Sequence, residues 1–163
     1  MWGWPAFFTR NYVVVAAGPD SAQAMARLHQ EDFIRPWTDG EFLQLLKQDT
    51  VFGFLACREG AGGREPAGFV LARLAAGEAE ILTIAVSRAC RRRGLGRLLM
   101  DAVMRKLHAD RAESLFLEVD ETNAAAIALY RRFGFRKVGE RKAYYDAGNG
   151  RRNSAIVMRV DFR

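Results

Sequence analysis

Cysteine is nearly missing from this 163-residue chain: Cys57 and Cys90 are its two thiols. Such a pair frames neither a disulfide scaffold nor a metal site, so no metal is expected, and both thiols suit a reducing cytoplasm. Cys57 lies inside an apolar run and reads as a small core residue rather than a nucleophile. Histidine is equally scarce. His29 and His108 stand alone in the sequence, and each reads as an ordinary surface or internally satisfied side chain. Long hydrophobic runs are absent too. No stretch reaches the roughly 18 unbroken apolar residues that a membrane helix needs. The apolar run Tyr12–Ala17 follows Arg10, but it is short for a signal segment, Asp20 follows closely and no small-residue cleavage site is apparent. Neither repeats nor low-complexity linkers are present.

What is there fits an ordinary globular chain: 50% hydrophobic and 27% charged residues. The length suits a single domain over residues 1–163. Within it, residues 1–10, with Trp2, Trp4, Phe7 and Phe8, form an extension to which the sequence assigns no role. The net charge of +6 and pI near 9.8 favour polyanionic partners or phosphate-bearing ligands. Arginine is spread along the chain, so direct nucleic-acid recognition is not expected.

Pattern and punctuation set the elements. Tyr12–Ala16 reads as a first strand. Asp20 or Ser21 can cap a helix carrying Met25 and Leu28. Thr38-Asp39-Gly40-Glu41 is a capping box ahead of a helix with Phe42, Leu45 and Leu46 on one face. Pro36 breaks helical continuity between the two. Val51–Arg58 and Ala67–Arg73 read as an antiparallel hairpin, and Glu78–Val86 as a further strand. Leu95, Leu98, Leu99, Ala102 and Val103 form the buried stripe of a helix from Gly94 to Ala109. Ser114–Val119 is a strand. Asn123 opens a helix bearing Ala126, Leu129, Tyr130 and Phe133, with Gly134 as its C′ residue. Arg136–Ala143 and Ala155–Asp161 are the last strands. The order predicts a mixed α/β (α+β) sandwich with helices on both faces of a central sheet, and two strand–helix–strand crossovers predict that the sheet is partly parallel.

Arg91-Arg92-Arg93-Gly94-Leu95-Gly96 falls between a strand and an amphipathic helix. The first N–H groups of a helix lack internal partners and carry partial positive charge. Glycine lets an anion approach the backbone, so a pyrophosphate would fit. The loop is neither a dinucleotide fingerprint nor a Walker A loop. Taken alone it also fits a glycine-containing helix start with a solvated basic run.

A second block follows: Leu117-Glu118-Val119, then Asn123 to Leu129-Tyr130, then Phe133-Gly134-Phe135. Together with Arg-x-x-Gly-x-Gly and the distance between the two, it resembles the GNAT acetyltransferases from about Tyr12 to Val160. The resemblance implies acetyl-CoA as cosubstrate. It implies that Ile84, Ala85 and Val86 pair with the pantetheine arm. Arg91, at a position where the family accepts Gln or Arg, and Arg92, Arg93, Gly94, Leu95, Gly96 and Arg97 would hold the pyrophosphate, and Asn123 would contact the cofactor. Glu118 matches the general base and Tyr130 the general acid. Within the family, Glu118–Tyr130, Arg141–Tyr145, Phe33 to Phe42 and Ile81–Val86 are similar to the bacterial enzymes that acetylate the N-terminal alanine of a small-subunit ribosomal protein. That likeness implies a peptide acceptor walled by Phe33, Trp37, Tyr144 and Tyr145; a cytoplasmic location and a monomer or weak dimer are expected. One departure touches specificity: Arg152-Asn153 follow Gly150-Arg151 where relatives often carry acidic residues.

The chemistry suits those residue types. An α-ammonium must lose a proton before it attacks a thioester, and a carboxylate can take it; a departing thiolate needs a proton, and a phenol can supply it. Direct transfer needs no covalent enzyme intermediate. Strand alternation puts Glu118 on the face opposite Leu115, Leu117 and Val119. The residues alone leave alternatives open. Glu118 could partner a nearby arginine, Tyr130 sits at helical core spacing, and the aromatic loop could simply pack on the core. A small amine or lysine side chain as acceptor, or a non-catalytic acetyl-CoA-binding module, remain the competing functions.

Overall fold

The computed structural model describes residues 11–60, 62–142 and 153–162. Their strands are β1 (Tyr12–Ala16), β2 (Val51–Gly60), β3 (Gly63–Ala75), β4 (Glu78–Val86), β5 (Ser114–Asp120), β6 (Arg136–Arg141) and β7 (Ala155–Asp161). They pair into one seven-stranded sheet in the order β1-β2-β3-β4-β5-β7-β6. Helices α1 (Ala22–Asp32) and α2 (Asp39–Leu46) cover one face, and α3 (Leu95–Ala109) and α4 (Ala124–Arg132) the other.

Two apolar clusters fill the space between sheet and helices. On one face Met25, Leu28 and Phe42 pack on Leu55, Phe69 and Leu71. On the other the α3 stripe, Leu95, Leu99, Met100, Val103 and Leu107, lies at 2% exposure or less against Val70, Leu115 and Leu117. Burying each such side chain contributes about 1.5–3 kcal/mol, enough to fix α3 and the loop that precedes it.

The capping box of α2 is formed as the sequence predicts: Glu41 N–H donates to Thr38 Oγ1 and Thr38 N–H to Glu41 Oε2, both at 3.1 Å. At α1 the cap differs from expectation. A 3-10 turn, Pro19–Ser21, precedes the helix, and neither Asp20 nor Ser21 caps it with a side chain. Ser21 Oγ instead accepts from Gly18 N–H at 3.2 Å.

The hairpin strands run further into the turn than their apolar runs, with Gly60 opposite Gly63. Among the described residues, β4 and β5 are the one parallel pair. The second crossover does not add another, because β7 inserts between β5 and β6 and pairs antiparallel with both. A non-local strand of this kind leaves no local trace in sequence.

Candidate active site

Strands β4 and β5 pair only over Glu78–Glu80 and Ser114–Phe116. Beyond that they separate. Thr83–Val86 keep their ladder with β3, Leu117–Asp120 keep theirs with β7, and no pairing bridges the two. The cause is local. The β3 register slips between Leu71 and Ala72, whose partners are Thr83 and Ile81, so Leu82 is an extra residue on β4. A bulge bends its strand and re-aims it. The result is an opening in the middle of the sheet, with the free backbone edge of Ile84, Ala85 and Val86 along one side. An extended ligand can take up such an edge by strand-like hydrogen bonds.

β4 leads through a 3-10 turn, Arg88–Cys90, into the arginine loop and α3. Arg92 (φ 65°) and Gly94 (φ 77°) both adopt left-handed backbone. Glycine does so freely, whereas a residue with a Cβ is strained there by about 1–2 kcal/mol. No N–H from Arg92 to Arg97 has a hydrogen-bond partner among the described residues; the first to bond back is Leu98, to the Gly94 carbonyl at 3.1 Å. These donors gather at the positive end of the α3 dipole. A Cβ on Gly94 would meet nothing within 4 Å, so the space over the loop is open. Gly96 serves packing instead: its Cβ would meet Leu129 Cδ2 at 3.3 Å, where α3 lies on α4. Arg92, Arg93 and Arg97 are exposed and pair with no carboxylate among the described residues. Arg91 donates to Asp32 Oδ1 at the end of α1. Orphan amides plus guanidinium groups are a donor set that fits a pyrophosphate.

Gly94→Ala isolates this loop. With no clash, the stability loss is confined to the backbone, about 1–2 kcal/mol, while the methyl occupies the anion's approach. KM for acetyl-CoA is expected to rise on the order of tenfold with kcat little changed, read by steady-state kinetics alongside a thermal melt.

On β5, Leu115, Leu117 and Val119 are buried beneath α3 and α4, and Glu118 emerges on the face that carries α1 and α2. The Glu118 side chain is 42% exposed, and its Oε2 lies 3.4 Å from Arg141 Nη2 on β6. An exposed pair of this kind contributes at most about 1 kcal/mol and leaves the carboxylate within reach of a ligand. Asp120 lies two residues on. Burial acts to raise its pKa, but hydrogen bonds from Thr122 Oγ1 (2.6 Å), Thr122 N–H (2.8 Å) and Asn153 Nδ2 (3.1 Å) outweigh it and hold the carboxyl below the usual range.

Tyr130 belongs to the opposite face and is 6% exposed. The end of α4 pins it. Gly134, at φ 93°, lets its own N–H reach the Arg131 carbonyl at 3.0 Å and the Phe135 N–H reach the Tyr130 carbonyl at 3.1 Å. This is a Schellman cap, and its usual apolar contact is Tyr130 on Phe135, ring centroids 5.8 Å apart. The Phe-Gly-Phe sequence therefore holds the phenol in place. Burial pushes its pKa up to about 12, so the hydroxyl stays protonated through the neutral range. Asn123 caps the other end of α4, its Oδ1 accepting from Ala126 N–H at 3.2 Å, which leaves its amide hydrogens as donors.

The segment between α1 and α2 is organised by His29, a residue the sequence marks as unremarkable. It is 2% exposed, bonded through Nε2 to Thr83 Oγ1 at 3.1 Å and through Nδ1 to the Trp37 N–H at 3.0 Å. Nδ1 accepts, so the ring is neutral with its proton on Nε2. Phe33 stacks on it at 3.8 Å, and Trp37 at 5.2 Å. Trp37 packs inward on Phe42, whereas Phe33 and Ile34 are 39% and 64% exposed and form the accessible wall. Tyr144 and Tyr145, the expected opposite wall, lie outside the described residues, as do residues 1–10.

Burial lowers the His29 pKa from 6.5 to about 4, against opposing pulls from Asp32 and Glu41. The unfolded chain therefore binds this proton more tightly. The associated stability is complete above pH 6.5 and is lost as pH falls toward about 4. It amounts to about 3 kcal/mol at most. Urea midpoints should fall over that window in the wild type, and His29→Phe should flatten the slope.

A sheet opened between its one described parallel pair, with anion donors at one end and a carboxylate and a phenol on opposite faces, is built for acyl transfer from a phosphate-bearing carrier. The sequence profile of the Acetyltransferase (GNAT) family matches residues 22–135, from the start of α1 to the Phe135 that closes α4. The chain belongs to that family, the acetyl-CoA-dependent N-acetyltransferases. More particularly, it is similar to the [ribosomal protein bS18]-alanine N-acetyltransferase of Escherichia coli K12, 32% identical over 135 residues that span 83% of this chain and 87% of that protein. The Salmonella typhimurium enzyme of the same name is 39% identical over 92 residues, 56% of this chain and 62% of its own length, which is under two thirds. The crystal structure of the E. coli ribosomal-protein-S18-alanine N-acetyltransferase superposes with a TM-score of 0.81 at 29% identity, over 92% of this chain and 93% of that one. Arabidopsis thaliana NAA60 in complex with acetyl-CoA shares the fold, with a TM-score of 0.80 at 20% identity over 93% of this chain and 98% of that one.

Proposed function

We propose that this enzyme acetylates the N-terminal α-amino group of a protein in the cytoplasm, with a small-subunit ribosomal protein that begins with alanine as its acceptor. The observation that carries the reading is the likeness to enzymes named for that acceptor, which extends over 87% of the E. coli protein. The geometry is compatible with it. Glu118 opens on the same face as the exposed Phe33–Ile34 wall, where a peptide N-terminus can lie, and Tyr130 is on the other side of the gap.

In this reading the Arg92–Arg97 amides and the guanidinium groups of Arg91, Arg92, Arg93 and Arg97 bind the pyrophosphate, and the free edge of Ile84, Ala85 and Val86 aligns the pantetheine arm. Acetyl-CoA supplies an activated thioester. Glu118 takes a proton from the α-ammonium, directly or through water, so that the neutral amine can attack the carbonyl carbon. The tetrahedral intermediate loses a second proton from its nitrogen to water as the C–S bond breaks, and Tyr130 gives its hydroxyl proton to the departing sulfur and is reprotonated from solvent. Holding both reactants in one cleft supplies much of the rate. Cys57 takes no part: it is buried, and burial raises its thiol pKa.

The test is to incubate the enzyme and acetyl-CoA with an alanine-starting peptide that also contains lysine, then map the product by fragment-ion mass spectrometry. The acetyl group should sit on the first residue. Acetylation confined to lysine would replace this reading with a side-chain acetyltransferase.

A further inference from the structure

The last turn of α1 breaks a local rule. A helix C-terminus carries partial negative charge and favours cations, yet α1 ends in Glu31-Asp32, and the basic residue of its last turn is the neutral His29. Both carboxylates find their partners across the molecule, a backbone amide for Glu31 and guanidinium groups for Asp32. Glu31 Oε1 accepts the Arg88 N–H at 3.0 Å, and the Arg88 guanidinium donates to the Glu31 carbonyl. Asp32 Oδ1 accepts from Arg91 Nη2, and Arg88 Nε lies 3.7 Å away. The end of α1 is thereby tied to the start of the phosphate loop by two connections of different kinds. The Glu31 tie uses a backbone amide and a main-chain carbonyl. The Asp32 tie joins two partly exposed side chains, at 24% and 47% exposure, and so can exchange.

We propose that Asp32 is a positioning residue that couples donor binding to the acceptor wall by competing with the cosubstrate's pyrophosphate for Arg91. This rests on reading the 91–97 loop as the pyrophosphate site. An arginine–phosphate contact is charge-assisted and frequently bidentate, so a bound diphosphate draws Arg91 away from Asp32. Phe33, the exposed wall residue stacked on His29, directly follows Asp32. Loss of Arg91 leaves Asp32, among the described residues, with only its longer pair to Arg88, at 3.7 Å, and so loosens the point from which that wall departs, while Glu31 and His29 keep the helix in place. Free energy that the diphosphate spends in displacing Asp32 reappears as a change in acceptor affinity, and linkage makes the effect reciprocal.

The test is a double-mutant cycle with the full chain. Calorimetry gives Kd for CoA in wild type, Asp32→Asn, Arg91→Gln and the double variant at low salt. It also gives Kd for an alanine-starting peptide with and without CoA. Removing an exposed ionic competitor should tighten CoA binding about two- to fivefold in Asp32→Asn. That gain should vanish in the Arg91→Gln background, and the ratio of peptide Kd values with and without CoA should move toward one. A Kd for CoA that is unchanged or weaker in Asp32→Asn overturns the inference. So does a gain that survives Arg91→Gln, or a peptide ratio that stays at the wild-type value. If wild type itself binds no CoA, the pyrophosphate reading fails together with the inference, an outcome distinct from tight wild-type binding that Asp32→Asn does not alter.

Discussion

Replacing Glu118 by glutamine should lower kcat/KM by about 10²- to 10⁴-fold, the usual worth of a positioned general base, while leaving CoA affinity and the melting temperature nearly unchanged. The side chain is isosteric and 42% exposed, and the one ion pair it loses among the described residues is with Arg141. That pair also provides the control. If Glu118 served only as a partner for Arg141, then Arg141→Ala would be as damaging as Glu118→Gln; if Glu118 is the base, Arg141→Ala keeps most of the activity. The pH dependence sharpens the distinction. A free α-amino group titrates near about 7.7–8.0, so above that range the acceptor deprotonates without help and the Glu118→Gln deficit should shrink. With a lysine acceptor, which titrates near about 10.4, the deficit would persist well past pH 8.

Tyr130→Phe is the second large effect. The ring stays against Phe135 and the Schellman cap is unchanged, so the fold should be held to within about 1 kcal/mol. Loss of the hydroxyl removes the proton offered to the departing sulfur, and kcat should fall on the order of a hundredfold with KM for acetyl-CoA little altered. Because burial moves the phenol to about 12, an acid at this position is depleted only as pH rises toward that value. Wild-type kcat should therefore show no alkaline limb through about pH 10. Wild-type kcat in Tyr130→Phe, or an alkaline limb below about pH 10 that survives the substitution, would contradict the assignment. Position 130 is thus both a core residue by packing and a proton donor by proposal, two roles that its helical spacing alone could not separate.

Elements set by local pattern were legible in sequence. Tyr12–Ala16, Glu78–Val86 and Ala155–Asp161 have the predicted bounds, and the Thr38–Glu41 box and the Gly134 cap act where expected. Features made by distant partners were not. The opening between β4 and β5 depends on Leu82 bulging against β3 and on β7 returning beside β5, and neither has a signature in the residues themselves. His29 looks idle until Thr83, 54 residues away, and Trp37 are brought to its two nitrogens. Arg91 is one of three adjacent arginines in sequence, but Asp32 sets it apart in the fold. Here a clue was available: two acids at the C-terminal end of α1, where the dipole disfavours them.

The central claim, transfer of acetyl from acetyl-CoA to a free protein N-terminus, is tested most directly by thiol release with matched peptides. Wild-type enzyme is given acetyl-CoA and an alanine-starting peptide from the ribosomal protein, and separately the same peptide with its N-terminus blocked. Release of CoA thiol with the free peptide and none above background with the blocked copy is the predicted result. Equal release with both, or no release with either while CoA binds, would contradict it.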